Sequence, residues 1–262
     1  VIRGEASALN LDGMCAEGPA ALPASLMLFS NLQSLTMASC GLTELPNFLG
    51  ALEALTNLDA SHNRLSTLPA SPKLWPDNLK VLTLGDNRFA DFEHALPDSL
   101  RTLDLSRNRL SKLPSTICRK GFGLTSLSIG GNPLEGGLPQ AMTAALAPSL
   151  TYLDLQTFRL TLLPPVIASL TSLTTLHLDF NPLSSLPDSL SNLAPSLTRL
   201  SLARNRFATL PLCVLSLTNL HTLNLSANAL TSLPPSISNL SHLATLDCSK
   251  NQITYLPDDL GS

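Results

Sequence analysis

Leucines along this chain fall into a repeating stencil, Leu-x-x-Leu-x-Leu-x-x-Asn-x-Leu-x-x-Leu-Pro. It is clearest through Leu100, Leu103, Leu105, Asn108, Leu110, Leu113 and Pro114, and again through Leu220, Leu223, Leu225, Asn228, Leu230, Leu233 and Pro234. Its ninth position falls at 40, 63, 87, 108, 132, 158, 181, 205, 228 and 251, so the steps run from 21 to 26 residues. From position three to seven, polar and apolar residues alternate, as in Thr102, Leu103, Asp104, Leu105 and Ser106. A period of two predicts a short, half-buried strand. Copies stacked at a fixed period predict a parallel sheet whose core lies between neighbours. The leucines of positions one, four, six, eleven and fourteen are the candidate core, each contributing about 1.5–3 kcal/mol when buried.

Position nine is Asn at 63, 87, 108, 132, 181, 205, 228 and 251. A buried amide has to be hydrogen-bonded, so these asparagines read as a ladder joining neighbouring loops. Phe158 takes the ladder position in the copy that follows the longest step, and it reads as core. The second half of each copy follows Leu-Pro with inward apolar residues, as in Leu163, Pro164, Ile167 and Leu170. Those stretches are too short for full helices, and single turns or 3-10 segments are expected there.

This spelling resembles the leucine-rich repeat family, in particular intracellular repeats with a Leu-Pro outer segment. Such repeats occur in Ras-suppressor-type scaffolds, plant intracellular Ras-group-related proteins and Roco kinases. The resemblance spans residues 22–260, while Leu96, Pro97, Asp98, Ser99 and Leu100 also resemble the compact repeats of bacterial host-directed effectors. It implies an α/β solenoid, a horseshoe with a concave parallel β-sheet and convex short 3-10, helical or extended segments. It also implies protein binding on the concave face, often to small GTPases or signalling enzymes. The expected organisation is a degenerate N-terminal copy over 1–31, with Leu9, Leu11, Leu22 and Pro23, then ten repeats over 32–262 in one continuous solenoid domain. Starting at Val1 and stopping at Ser262 after the last Leu-Pro, the chain reads as a piece of a longer protein.

Composition narrows the partners. A formal net charge of −3 exerts no whole-molecule pull on nucleic acid or an anionic membrane. No apolar run is long enough to span a bilayer. Cys15, Cys40, Cys118, Cys213 and Cys248 are odd in number and scattered, unlike a disulfide framework, which favours a reduced, cytoplasmic setting. Cys40 and Cys248 stand at core positions of the stencil and read as buried fillers. The sequons at Asn224 and Asn239 keep a secreted sensor ectodomain open. A monomer without a cofactor is expected.

Candidate contacts come from the positions that leave the core. Position ten carries Arg64, Arg88, Arg109, Arg159 and Arg206, a basic stripe along one edge. Two readings stand for it: arginines neutralised by Asp59, Asp86, Asp104 or Asp154, or a docking strip for an acidic partner, since guanidinium offers a planar donor fork. Repeats six to eight differ from the rest. They add Tyr152, Asp154, His177, Asp179, Phe180, Arg199 and Arg204 to Arg159 and Arg206. Exposed aromatics flanked by arginine have the composition of an interface hot spot; against it, Phe180 could merely shield an edge by leaning on Pro182.

Catalytic readings are weaker. His177, Asp179 and Asp154 fall on neighbouring strands, yet an open sheet offers no pocket. The glycines at 121, 123, 130 and 131 do not spell a phosphate loop. Cys118, beside Arg119 and Lys120, is a candidate low-pKa thiol, and Trp75 reads as outer packing. The segment is therefore expected to be a non-catalytic protein-interaction module, a scaffold in intracellular signalling. The alternative is the recognition part of a larger kinase, GTPase or effector ubiquitin ligase.

Overall fold

The computed structural model describes residues 6–14, 24–69, 73–92, 95–134 and 138–257. Cys15, Leu22 and Pro23 lie outside them. The chain divides into two compact units, Val1–Glu135 and Gly136–Ser262.

In the first unit, the strands are β1 (Ala8–Asn10), β2 (Ser34–Thr36), β3 (Asn57–Asp59), β4 (Val81–Thr83), β5 (Thr102–Asp104) and β6 (Ser126–Ser128). They pair in chain order, all parallel, with the position-four leucines in one row: Leu9, Leu35, Leu58, Leu82, Leu103 and Leu127. The second unit has β7 (Tyr152–Asp154), β8 (Thr175–His177), β9 (Arg199–Ser201), β10 (Thr222–Asn224) and β11 (Thr245–Asp247). Its row is Leu153, Leu176, Leu200, Leu223 and Leu246. Each strand is the expected alternating segment of one copy. β1 shows that the degenerate opening copy also makes a strand. The family's parallel-sheet solenoid is thus present in both units.

The interior is a column of leucine. Leu100, Leu103, Leu105 and Leu110 are fully buried, as are Leu220, Leu223, Leu225 and Leu230. Phe158 is buried, as its place in the stencil implies, and Trp75, read as outer packing, is buried as well. Opposite the sheet, the Leu-Pro segments form 3-10 turns, among them Ser115–Cys118, Pro165–Ser169, Asp188–Leu193 and Pro235–Asn239. Pro114, Pro164, Pro187 and Pro234 stand just before them with φ between −54° and −72°. There the ring presets φ, and the missing N–H would have had no partner anyway. Two segments become α-helix, α1 (Gln140–Leu146) and α2 (Leu212–Leu215). α1 occupies the 26-residue step between positions 132 and 158, where the extra residues complete two turns of helix instead of one tight turn. No helix among the described residues is long and apolar enough to cross a membrane.

The asparagine ladder is realised in full geometric detail. Asn108 donates from Nδ2 to the carbonyls of Leu105 and Ser106 (3.1 Å each) and of Leu84 in the preceding repeat (3.0 Å). Its Oδ1 accepts the N–H of Phe89, again from the preceding repeat. Asn63, Asn87 and Asn132 bridge in the same way in the first unit. Asn181, Asn205, Asn228 and Asn251 do so in the second. Every rung satisfies backbone groups that leave the sheet and would otherwise be buried without partners.

Candidate functional site

Position eight decides what faces outward. In all ten repeats the residue there has positive φ: Ser39, His62, Asp86, Arg107, Gly131, Thr157, Phe180, Arg204, Ala227 and Lys250, nine of them non-glycine with φ of 51–58°. One left-handed residue turns the chain off the strand, aims the position-nine side chain inward and leaves its own pointing away from the core. For an L-residue this conformation costs roughly 1–2 kcal/mol, and in the eight repeats with asparagine at position nine the ladder rung beside it offsets that cost. Arg159, at position ten, is left-handed as well (φ 58°), in the copy where Phe158 replaces the amide.

In the second unit this column places Phe180 beside Arg204. Phe180 is 50% exposed, and the Arg204 guanidinium carbon lies 4.8 Å over its ring centre. A cation over an aromatic face at this range is attractive, so the pair is a preformed apolar and cationic knob. Phe180 thus partners Arg204. Arg199 at the start of β9 and Arg159 and Arg206 at position ten are also exposed.

A second group lies on the sheet face. The ring of Tyr152 on β7 is 5.5 Å from that of His177 on β8. The His177 Nδ1 is 3.6 Å from Asp179 Oδ2. Hydrogen bonding to Asp179 raises the His177 pKa, helped by the charges of Asp179 and Asp154 and opposed by burial. Asp179 itself is buried; its Oδ1 accepts the Ala203 N–H at 2.7 Å and the Ser201 hydroxyl.

The role of Asp179 follows from its neighbours. At position five, Asp59, Asp104, Asp154, Asn224 and Asp247 accept the N–H two residues on, closing a side-chain turn at the strand end. Repeat eight has Ser201 at that position, and Asp179 supplies the missing acceptor from the preceding repeat. Asp12 does the same for Ala38, where Thr36 stands at position five. Sequence reasoning missed both this role and Ser201. The Asp-x-Ser spacing at 59 and 61, 104 and 106, and 247 and 249 is the signal that could have found it.

The arginine stripe is not neutralised as one sequence reading had it. Asp59, Asp104 and Asp154 accept backbone N–H groups. Asp86 pairs with Arg107 at 3.7 Å and His62 at 3.4 Å, both from the position-eight column. Among the described residues, no ion pair involves Arg64, Arg88, Arg109, Arg159 or Arg206. Cys118 departs from expectation as well, since burial pushes its thiol pKa up rather than down. Cys40 is buried, whereas Cys248 is only half-buried. Cys118, Cys213 and Cys248 are free thiols.

Comparison with known proteins agrees with this architecture. The family description "Leucine Rich repeats (2 copies)" matches residues 195–235 and 218–261, and "Leucine Rich Repeat" matches 99–120 and 172–193. The chain is 31% identical over 178 residues to the Ras guanine nucleotide exchange factor V of Dictyostelium discoideum, covering 62% of this chain and 8% of that protein. A leucine-rich repeat protein of Leptospira interrogans superposes with a TM-score of 0.71 at 30% identity, over 92% of this chain and 66% of that one. The Arabidopsis receptor kinase HAESA, solved with a peptide hormone and a co-receptor, superposes at 0.67 with 24% identity, over 95% and 46%. The chain therefore spans less than two thirds of each of these relatives. With the parallel rows of leucine, the asparagine rungs and the Leu-Pro turns in place, the chain belongs to the leucine-rich repeat family.

Proposed function

We propose that the second unit recognises a protein partner through the exposed edge and face of repeats six to eight. Leucine-rich repeat domains are protein-interaction modules, so the open question is where a partner sits. Phe180 under Arg204 carries the reading. A half-exposed phenylalanine exposes costly apolar surface, and an arginine fixed over it adds charge and donors. Arg159, Arg199 and Arg206 extend the patch and suit an acidic partner. Tyr152 contributes from the sheet face, where His177 is held by Asp179, and Asp154 by its own turn. Arg64, Arg88 and Arg109 form a secondary strip on the first unit, used for steering rather than for affinity.

The setting we infer is intracellular signalling, supported by the free thiols of Cys118, Cys213 and Cys248 and by the likeness to an exchange factor for Ras. That likeness also favours a second reading, in which the segment is the recognition part of a larger signalling enzyme. Affinity capture from cytosol with the wild-type chain and with Phe180→Ala/Arg204→Glu tests the site. A bound protein lost with the double variant but retained with Arg88→Glu supports it. Equal recovery with all three sinks it.

A further inference from the structure

Neither the repeat stencil nor the partner patch assigns a role to His221 and His242. His221 directly precedes β10, and His242 lies in the turn that leads to β11. These strands pair in register, Thr222 opposite Thr245, so the two entry segments run side by side. Both histidines are exposed. Their rings stack with centroids 6.0 Å apart and planes 29° apart.

Each ring is held in the same way. The His221 Nδ1 lies 2.8 Å from the Asn219 carbonyl oxygen. The His242 Nδ1 lies 3.0 Å from the Thr218 carbonyl oxygen, with the Ser241 hydroxyl 3.5 Å away. A carbonyl oxygen only accepts, so both Nδ1 atoms carry the hydrogen. In the neutral imidazole, Nε2 then keeps its lone pair. Two neighbouring rings thus offer Nε2 lone pairs from tautomers fixed by the backbone. Metal-binding histidines are arranged this way, with one nitrogen on the ion and the other N–H on a carbonyl. At a tetrahedral angle, two imidazoles sharing an ion at about 2.0–2.1 Å each place their ring centres roughly 5 Å apart, so the two exposed rings, now 6.0 Å apart, reach that spacing by closing about 1 Å.

We propose that His221 and His242 form a two-histidine site for a divalent cation of the zinc, nickel or copper class, bound through both Nε2 atoms with water completing the sphere. Neutral imidazole suits these ions. Among the described residues, no third His, Cys, Asp or Glu joins the pair, so a site of moderate rather than structural strength is expected. The proposal is independent of the partner patch.

The test titrates Cu²⁺ and Zn²⁺ into the purified chain at neutral pH by calorimetry, with electron paramagnetic resonance on the copper form. Asparagine is the informative replacement. Its Nδ2 can take the place of the Nδ1–H on the backbone carbonyl, while the metal-binding nitrogen is gone. One ion per chain with two equatorial nitrogens is expected. His221→Asn or His242→Asn should each weaken binding at least tenfold and leave the metal-free melting temperature unchanged, while His62→Asn and His177→Asn should leave affinity alone. Unaltered affinity in the His221→Asn/His242→Asn double variant would overturn the site. So would a single-nitrogen copper spectrum, or an equal loss from His62→Asn, which would mark adventitious binding by scattered histidines.

Discussion

The two units have interiors of the same kind and differ in what they show to solvent. Each has a row of position-four leucines, four asparagine rungs and turns opened by proline. At position eight they diverge. In the first unit, His62, Asp86 and Arg107 occupy three successive repeats, and the Asp86 carboxylate takes the Arg107 guanidinium on one side and the His62 ring on the other along the column. In the second, Phe180 and Arg204 fill two successive repeats, and the phenylalanine stays half exposed beneath its arginine. The same left-handed backbone presents both sets. The interior therefore specifies the coil, and the departures from regularity at outward positions specify what it can bind.

Equal interiors should give equal costs. Leu103→Ala in the first unit and Leu223→Ala in the second each remove a fully buried side chain from the central row and should each cost about 3 kcal/mol. Guanidinium denaturation followed by circular dichroism measures both, and a cost confined to one unit would break the equivalence. Next come the rungs. Asn108→Ala and Asn205→Ala each strand buried N–H and carbonyl groups in two repeats, for about 2 kcal/mol apiece.

Surface changes should then separate the units. Phe180→Ala with Arg204→Glu should lower partner affinity by about 2 kcal/mol or more, the range of an interface hot spot. The same variant should shift folding stability by no more than about 0.5 kcal/mol. Arg88→Glu with Arg109→Glu should mainly slow association at low salt. Thr157 is a β-branched residue at φ 54°, a poor fit to the left-handed region. Thr157→Gly should therefore raise stability by up to about 1 kcal/mol, less whatever the freer unfolded chain costs.

The smallest effect is one of pH. The folded-state pKa of His177 is raised, first by its hydrogen bond to Asp179. Its protonated form therefore stabilises the fold fully below the unfolded value of about 6.5, and the contribution is lost as pH rises through the raised folded value. The stability difference between wild type and His177→Gln should shrink across that window. A difference that stays flat from acid to mildly alkaline pH would show that the contact carries no charge.

Much of the coil was legible because it is periodic. The strand at Thr102–Asp104, the rung at Asn108 and the turn after Pro114 all follow from spacing that each repeat states again. Phe158 could be placed in the core for the same reason. The left-handed turn at position eight was not legible, because only Gly131 among its ten residues advertises positive φ. The turn off the strand imposes that conformation in every repeat, even at Ser39 and Thr157 where Cys40 and Phe158 replace the amide, a tertiary override that no single residue announces. The carboxylates were misjudged for a related reason. Asp59 and Asp104 look like partners for arginine, yet the nearest unsatisfied donor is a backbone N–H two residues away. Asp179 is harder still, because its acceptor serves a repeat one full turn further on. The cation–π contact of Phe180 with Arg204 was foreshadowed only as two residue types at one column of the stencil.

The most direct measurement of the central claim is photo-crosslinking from position eight. A benzophenone amino acid placed at 180 should crosslink the captured partner, whereas the same probe at 62 in the first unit should not. Crosslinks from 62 and none from 180 would contradict the assignment of recognition to the second unit.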